Sequence, residues 1–180
     1  LVSLLSESYD IVLMNPPYGD MPTETKEYLR RNYPRTHFDY YAAFIEQAID
    51  LCNAHGFVGM LTSRSFLFLK SFTEIREKIL WDGSSPSLLL DLGFNVLDGA
   101  TGDWVATVVR KTPLVTRKCI FLRLTSFNDE QSKRLGFEDS LETWKALGRQ
   151  TNVFDVPLGD LRLVPGSPYC YWVSESLRSL

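Results

Sequence analysis

The chain has 180 residues, a net charge of −3, 44% hydrophobic and 23% charged residues, the balance of a single soluble domain with a real core. No run of about 18 apolar residues occurs, which excludes a membrane-spanning helix. Cys52, Cys119 and Cys170 are scattered and odd in number. They predict free thiols rather than a disulfide framework, and with only His37 and His55 beside them no metal site is expected.

Leu1–Glu7 has neither a basic segment nor a long apolar core, so it is not read as a signal peptide. Tyr9–Met14 is a short apolar run, predicted as a buried strand. It must stop at Asn15-Pro16-Pro17, because two prolines cannot donate ladder hydrogen bonds. Residues 19–36 read as a polar surface loop with a short helix over Lys26–Arg31. Residues 38–53 turn helical in their apolar spacing, with His55-Gly56 as the expected helix end.

Phe57–Thr62 is a second predicted strand and Thr73–Trp81 a second helix, with Asp82–Pro86 as its stop. Leu88–Leu92, Trp104–Val109 and Lys118–Leu124 are further strands. Strand, helix, strand, helix, strand implies an α/β fold with a parallel sheet and right-handed crossovers. The last two strands lack a helix between them, which predicts an antiparallel strand at the sheet edge. Beyond Asn128 the pattern weakens. Glu138–Leu147 reads as a helix and Val164–Val173 as a loop, and a domain boundary is placed near residue 127.

In open α/β sheets ligands sit beyond the carboxyl ends of the strands, where Asn15-Pro16-Pro17-Tyr18 lies. The prolines stiffen the turn and restrict the residue before each of them. Its carbonyls can therefore be aimed outward and held. An aromatic amine has two N–H donors, and the Asn15 side-chain oxygen and the Pro16 carbonyl can accept one each. Acceptors that favour a pyramidal nitrogen localise its lone pair, which is electrostatic preorganisation for attack on an activated methyl group. Tyr18 adds a flat ring for stacking. A base inside a duplex must be flipped out to reach such a site.

Tyr9–Tyr18 resembles motif IV of amino-group DNA methyltransferases. Asp39–Ala48 and Gly56–Ser63 are similar to its continuation in the adenine-specific, restriction-modification branch. Pro165–Ser174 resembles a segment of the large methyltransferases of bacterial phage-exclusion systems (BREX, PglX-type). The resemblance implies the later half of a Rossmann-like methyltransferase sheet with helices on its faces, and S-adenosylmethionine as methyl donor. It implies N6 of a flipped adenine in double-stranded DNA as acceptor, and a cytoplasmic, bacterial setting in restriction-modification or antiviral defence. Asn15, Pro16, Pro17 and Tyr18 become the catalytic residues.

A second stacking aromatic is expected after the third strand. Phe94 is the nearest, although the alignment falls on Leu97, and a plain core role for Phe94 stays open. The family's glycine-rich cofactor turn does not precede Tyr9. Asp10 and Asp39 are the remaining weak cofactor candidates. The chain is accordingly expected to be a fragment: residues 1–127 a partial catalytic domain, residues 128–180 a linker and the start of a downstream, possibly target-recognition, region. Alone it is expected to be inactive, to lack its N-terminal partner half, and to self-associate through an exposed first strand.

The remaining features read more simply. Tyr41 falls on the apolar stripe of its helix. Ser63-Arg64-Ser65 reads as an exposed helix-capping segment more readily than Arg64 reads as a phosphate contact. Trp104, Trp144 and Trp172 read as core or interface. The basic clusters Arg30, Arg31, Arg35 and Arg110, Lys111, Arg117, Lys118 read as solvated surface. Two rival functions remain: an N-methyltransferase acting on RNA or a protein glutamine, and a non-catalytic nucleic-acid-binding or assembly module.

Overall fold

A computed structural model describes residues 7–81, 83–97, 101–112, 118–148 and 150–178. The expectations resting on Leu1–Ser6, Asp82 and Arg117 fall outside these residues. Strand β1 (Tyr9–Met14) ends at the double proline as expected. The turn after it runs into helix α1 (Thr23–Asn32) and then helix α2 (Tyr40–Leu51). Asp39 caps α2 by accepting from the Tyr41 backbone N–H, which satisfies one of the free donors of the first turn.

The helix does not run on to His55-Gly56. It stops at Leu51, and strand β2 (Cys52–Ser63) begins at once. His55 adopts a left-handed φ of 69° inside β2, and the β1–β2 register shifts at this point, from Tyr9↔Cys52 to Ile11↔Phe57. The His-Gly signal therefore marks a strand irregularity, a use of left-handed backbone that sequence does not separate from a helix cap.

Beyond β2, 3-10 turns at Arg64–Leu67 and Lys70–Phe72 lead into a helix that widens to π geometry at Ile75–Ile79. Strands β3 (Ser85–Gly93), β4 (Trp104–Arg110), β5 (Lys118–Arg123) and β6 (Val153–Pro157) complete the sheet. Pro86, expected as a stop, lies within β3, where the register shifts between Pro86 and Leu88. Helix α3 (Glu130–Leu147) connects β5 to β6, opened by an Asp129–Ser132 capping box and closed by Gly148 at φ 65°.

The sheet is six-stranded and mixed, in the order β1-β2-β4-β3-β5-β6. β1 is parallel to β2 and β3 to β5, whereas β4 is antiparallel to both its neighbours and β6 to β5. The two strands without a helix between them, β4 and β5, are not neighbours: β4 is antiparallel but inserted between β2 and β3 rather than added at an edge, and β5 is parallel to β3. The antiparallel edge belongs to β6, which the sequence pattern did not disclose. A short return from β3 forces antiparallel pairing, while the long β2–β3 connection leaves a vacant sheet position for β4 to fill.

One face of the sheet packs under α2 and the 66–81 segment. Tyr41, Ala42, Ile45, Val58, Met60, Phe66, Ile75, Leu89, Val105 and Phe121 form one buried cluster. Val156, Leu158, Leu161, Tyr169 and Tyr171 belong to the same cluster, so the boundary placed near residue 127 is not a break in packing. On the opposite face at the β1 edge, Ile11 and Leu13 are 65% and 79% exposed.

Candidate active site

The carboxyl ends of β1, β2, β3 and β5 lie along one edge of the sheet, together with the start of β4. That edge carries Asn15, Ser63-Arg64, Phe94 and, from the opposite chain direction, Asp103-Trp104. In the turn, Pro16 is buried and anchors the chain, while Asn15 and Pro17 are exposed and Tyr18 is half-buried.

The Tyr18 hydroxyl faces two acceptors, the Leu61 carbonyl at 2.6 Å and Asn15 Oδ1 at 3.0 Å. Its ring meets Trp104 edge-on, with centroids 4.4 Å apart and planes at 79°. The single hydroxyl proton goes to the nearer Leu61 carbonyl, which anchors Tyr18 on β2 with its oxygen beside the Asn15 carboxamide. An amide oxygen has two lone pairs, so beside Tyr18 Asn15 keeps an acceptor site for a substrate N–H. Burial, and next the charge of Asp39, push the Tyr18 hydroxyl up to about 12, so it stays a neutral donor at physiological pH.

Asp39 joins this cluster from the α2 N-terminus. Burial raises its carboxyl, against the lowering effect of the Tyr41 and Tyr40 backbone N–H groups. Tyr41, 1% exposed, bonds Ser65 Oγ at 2.7 Å, tying α2 to the end of β2. Asp10 is not brought here. It sits near the other end of β1, roughly 16 Å from Asn15 by strand rise, and accepts from Asn53 Nδ2 at 2.9 Å. This geometry removes it as a cofactor contact for a ligand at the turn.

Phe94 is 61% exposed, which rules out the core reading. It follows Gly93, whose register partner is Trp104, the ring beneath Tyr18. The structure therefore places Phe94 one strand from the Tyr18–Trp104 pair, on the same rim.

Several residues escaped the sequence reading. In sequence Trp104 shows only the character of a core or interface residue, and its place under Tyr18 depends on the insertion of β4. Asp91, fully buried, accepts from Arg64 Nη2 at 2.8 Å and from the Tyr171 hydroxyl at 2.6 Å. Burial raises its carboxyl, opposed first by the Tyr171 hydrogen bond and then by Arg64 and Arg123. Arg64 also approaches Asp103 at 3.7 Å and lies over the Phe68 ring. It is a linchpin of the rim, while Ser63 of the expected capping segment caps the following turn by accepting from the Ser65 backbone N–H. Trp172 packs against Phe68 and Tyr171 and carries Arg123 on its face. No sequence periodicity links positions 64, 91 and 171.

Among the described residues no group of three or more His, Cys, Asp or Glu could hold a metal ion, and no helix is long and apolar enough to cross a membrane. Cys52 and Cys119 are buried free thiols.

Comparison with known proteins agrees with this architecture. The sequence model described as Eco57I restriction-modification methylase matches residues 3–94. An adenine-specific methyltransferase PglX of Lacticaseibacillus casei is 28% identical over 180 residues, 98% of this chain and 15% of the relative. An adenine-specific methyltransferase BrxX of Escherichia coli is 27% identical over 177 residues, 95% of this chain and 14% of the relative. The chain therefore spans about 15% of the length of the curated relatives it matches. The type I restriction-modification methyltransferase subunit of Streptococcus thermophilus superposes with a TM-score of 0.63 at 13% identity, over 89% of this chain and 37% of that one. A DrdV–DNA complex superposes at 0.61 and 15% identity, over 97% of this chain and 19% of that one. At such identities these two likenesses carry the fold alone.

Proposed function

The chain belongs to the Eco57I restriction-modification methylase family, and from that premise we propose that it supplies the amine-gripping half of an adenine-specific DNA methyltransferase. The observation that carries this reading is the Asn15-Pro16-Pro17-Tyr18 turn at the tip of a strand, with Asn15 exposed and Tyr18 anchored on the Leu61 carbonyl beside it.

In this reading the polypeptide takes adenine in double-stranded DNA, flipped into the rim. Asn15 Oδ1 and the Pro16 carbonyl accept the two N6 hydrogens and favour a pyramidal nitrogen with a localised lone pair. Pro17 holds the turn stiff. Tyr18 and Phe94 stack on the base, and Trp104 backs Tyr18. S-adenosylmethionine supplies an electrophilic methyl group when bound. The described residues fit part of its site: the Asp39 carboxylate lies beside the turn, where it complements a sulfonium charge. They contain no glycine-rich strand-to-helix turn for the rest of the donor.

The activity is assigned to the full polypeptide that carries this sequence. Residues 7–127 contribute the catalytic turn and most of the sheet, and residues 128–178 complete the same sheet and core with β6 and the Tyr169–Tyr171 segment. The setting is the bacterial cytoplasm, in restriction-modification or phage exclusion.

The test is transfer of a labelled methyl group from S-adenosylmethionine by the full polypeptide to genomic DNA, RNA and release-factor protein in parallel. Label in DNA alone is the expected result. Label confined to RNA or protein would reassign the amine, and DNA binding without transfer to any of the three would favour a non-catalytic module.

A further inference from the structure

Immediately beyond the turn, a cleft of about 300 Å³ opens between α1 and the loop before α2, lined by Met21, Lys26, Arg30, His37 and Phe38. Lys26 and Arg30 stand four residues apart on α1, so their stems rise from one helix face about 5–6 Å apart. Neither is in an ion pair among the described residues, in contrast to Arg35, which Glu46 engages. The far wall is aromatic. Phe38 is 51% exposed, and the His37 ring lies 4.1 Å from it at a 34° tilt. His37 Nδ1 is occupied by the Pro34 carbonyl at 2.9 Å, which holds the ring in place.

Two of its lining residues are tied to the candidate site through the chain. Met21 is three residues past Tyr18. Phe38 precedes Asp39, whose charge acts on the Tyr18 hydroxyl.

We infer that this cleft seats the sugar–phosphate backbone of the nucleic-acid substrate next to the base held at Asn15. Lys26 and Arg30 contact successive phosphates, and Phe38 covers the sugar or a neighbouring unstacked base. This rests on the functional reading above and adds a partner surface to it. Two unpaired cations spaced along a helix suit a repeating polyanion. A flat exposed ring beside them suits a base or sugar, and neither a free phosphate nor an acidic peptide has a use for it.

The test measures binding of a labelled DNA duplex, and of one of its single strands, as a function of salt. The wild-type full polypeptide that carries this sequence is compared with its Lys26→Ala/Arg30→Ala, Phe38→Ala and distant Arg134→Ala variants. All four side chains are exposed, and thermal melts check that each variant folds. For the duplex, the slope of log affinity against log salt should fall by about 1.8 in the double variant, about 0.9 per lost phosphate contact. It should be unchanged in Arg134→Ala. Phe38→Ala should weaken single-strand binding roughly tenfold with no change in slope.

An unchanged slope in the double variant, no binding by wild type at low salt, or equal competition by polyglutamate overturns the inference. If the slope is unchanged while Asn15→Ala still abolishes methyl transfer by the full polypeptide, the cleft assignment alone fails and the functional reading stands.

Discussion

Replacing Tyr171 with Phe isolates one hydrogen bond at the base of the rim. The Tyr171 ring is 1% exposed and stacks on Phe121 with centroids 4.5 Å apart and planes at 10°, and Phe preserves that packing. What disappears is the 2.6 Å bond to Asp91 Oδ2. Among the described residues Asp91 is then left fully buried with Arg64 as its one remaining hydrogen-bonded side-chain partner, since its Oδ1 already has none. A hydrogen bond to a charged group is worth about 1.5–3 kcal/mol, so the variant should lose about 2 kcal/mol. At roughly 2–4 °C per kcal/mol for a chain of this size, the Tm falls by about 4–8 °C.

The deficit should depend on pH. Burial holds the Asp91 carboxyl above its ordinary value, and Tyr171 opposes that by favouring the ionised form. The lost bond therefore matters most at neutral pH, where Asp91 is charged. The deficit shrinks as pH falls through the raised Asp91 pKa and the group becomes neutral. Urea titrations at several pH values read both quantities. A loss below about 0.5 kcal/mol at neutral pH, or one that is the same at every pH, would refute the claim that Tyr171 ties the 168–172 segment to a buried carboxylate.

Tyr18 is predicted to act in two separable ways. In the full polypeptide Tyr18→Phe keeps the stack but removes the anchor on the Leu61 carbonyl and the hydroxyl beside Asn15, and methyl transfer should drop several-fold. Tyr18→Ala also removes stacking worth about 1–3 kcal/mol and should be markedly worse; equal rates for the two variants would contradict the positioning role. The tyrosines also set an alkaline limit. Burial is the main cause raising Tyr18, to about 12, and it pushes Tyr41, Tyr169 and Tyr171 up as well. Unfolded tyrosines titrate near 10, so this contribution is complete below about pH 10 and is lost as pH rises through the folded values. Tyrosinate absorbance should appear together with loss of circular dichroism, and titration of these tyrosines near pH 10 in a still-folded chain would contradict the burial. Finally, the isolated chain should self-associate in light scattering through the exposed Ile11–Leu13 face at the β1 edge, and Leu13→Lys should reduce it; a monodisperse wild-type monomer would count against this.

The tip of β1 was legible in sequence because proline leaves a strand few alternatives: Met14 must be followed by a break, and Asn15 must sit at it. α2 was legible from its 3.6-residue apolar spacing. The order of the strands was not. Apolar runs report burial and say nothing of the neighbour, so β4 could not be seen to slot between β2 and β3, nor Trp104 to arrive under Tyr18. Val153–Pro157 is too short and mixed in character to announce a strand, and it becomes one by pairing with β5. Asp91 was hidden for a related reason. A carboxylate inside an apolar strand reads as a blemish until Arg64 and Tyr171 are seen on either side of it.

The most direct measurement of the central claim is the chemical identity of the methylated nucleoside. DNA treated with the full polypeptide and S-adenosylmethionine, digested and analysed by mass spectrometry, should contain N6-methyldeoxyadenosine. Asn15→Ala should produce none while binding DNA with nearly wild-type affinity. Methylated deoxycytidine in place of the adenine product, or undiminished N6-methyldeoxyadenosine from Asn15→Ala, would contradict the account.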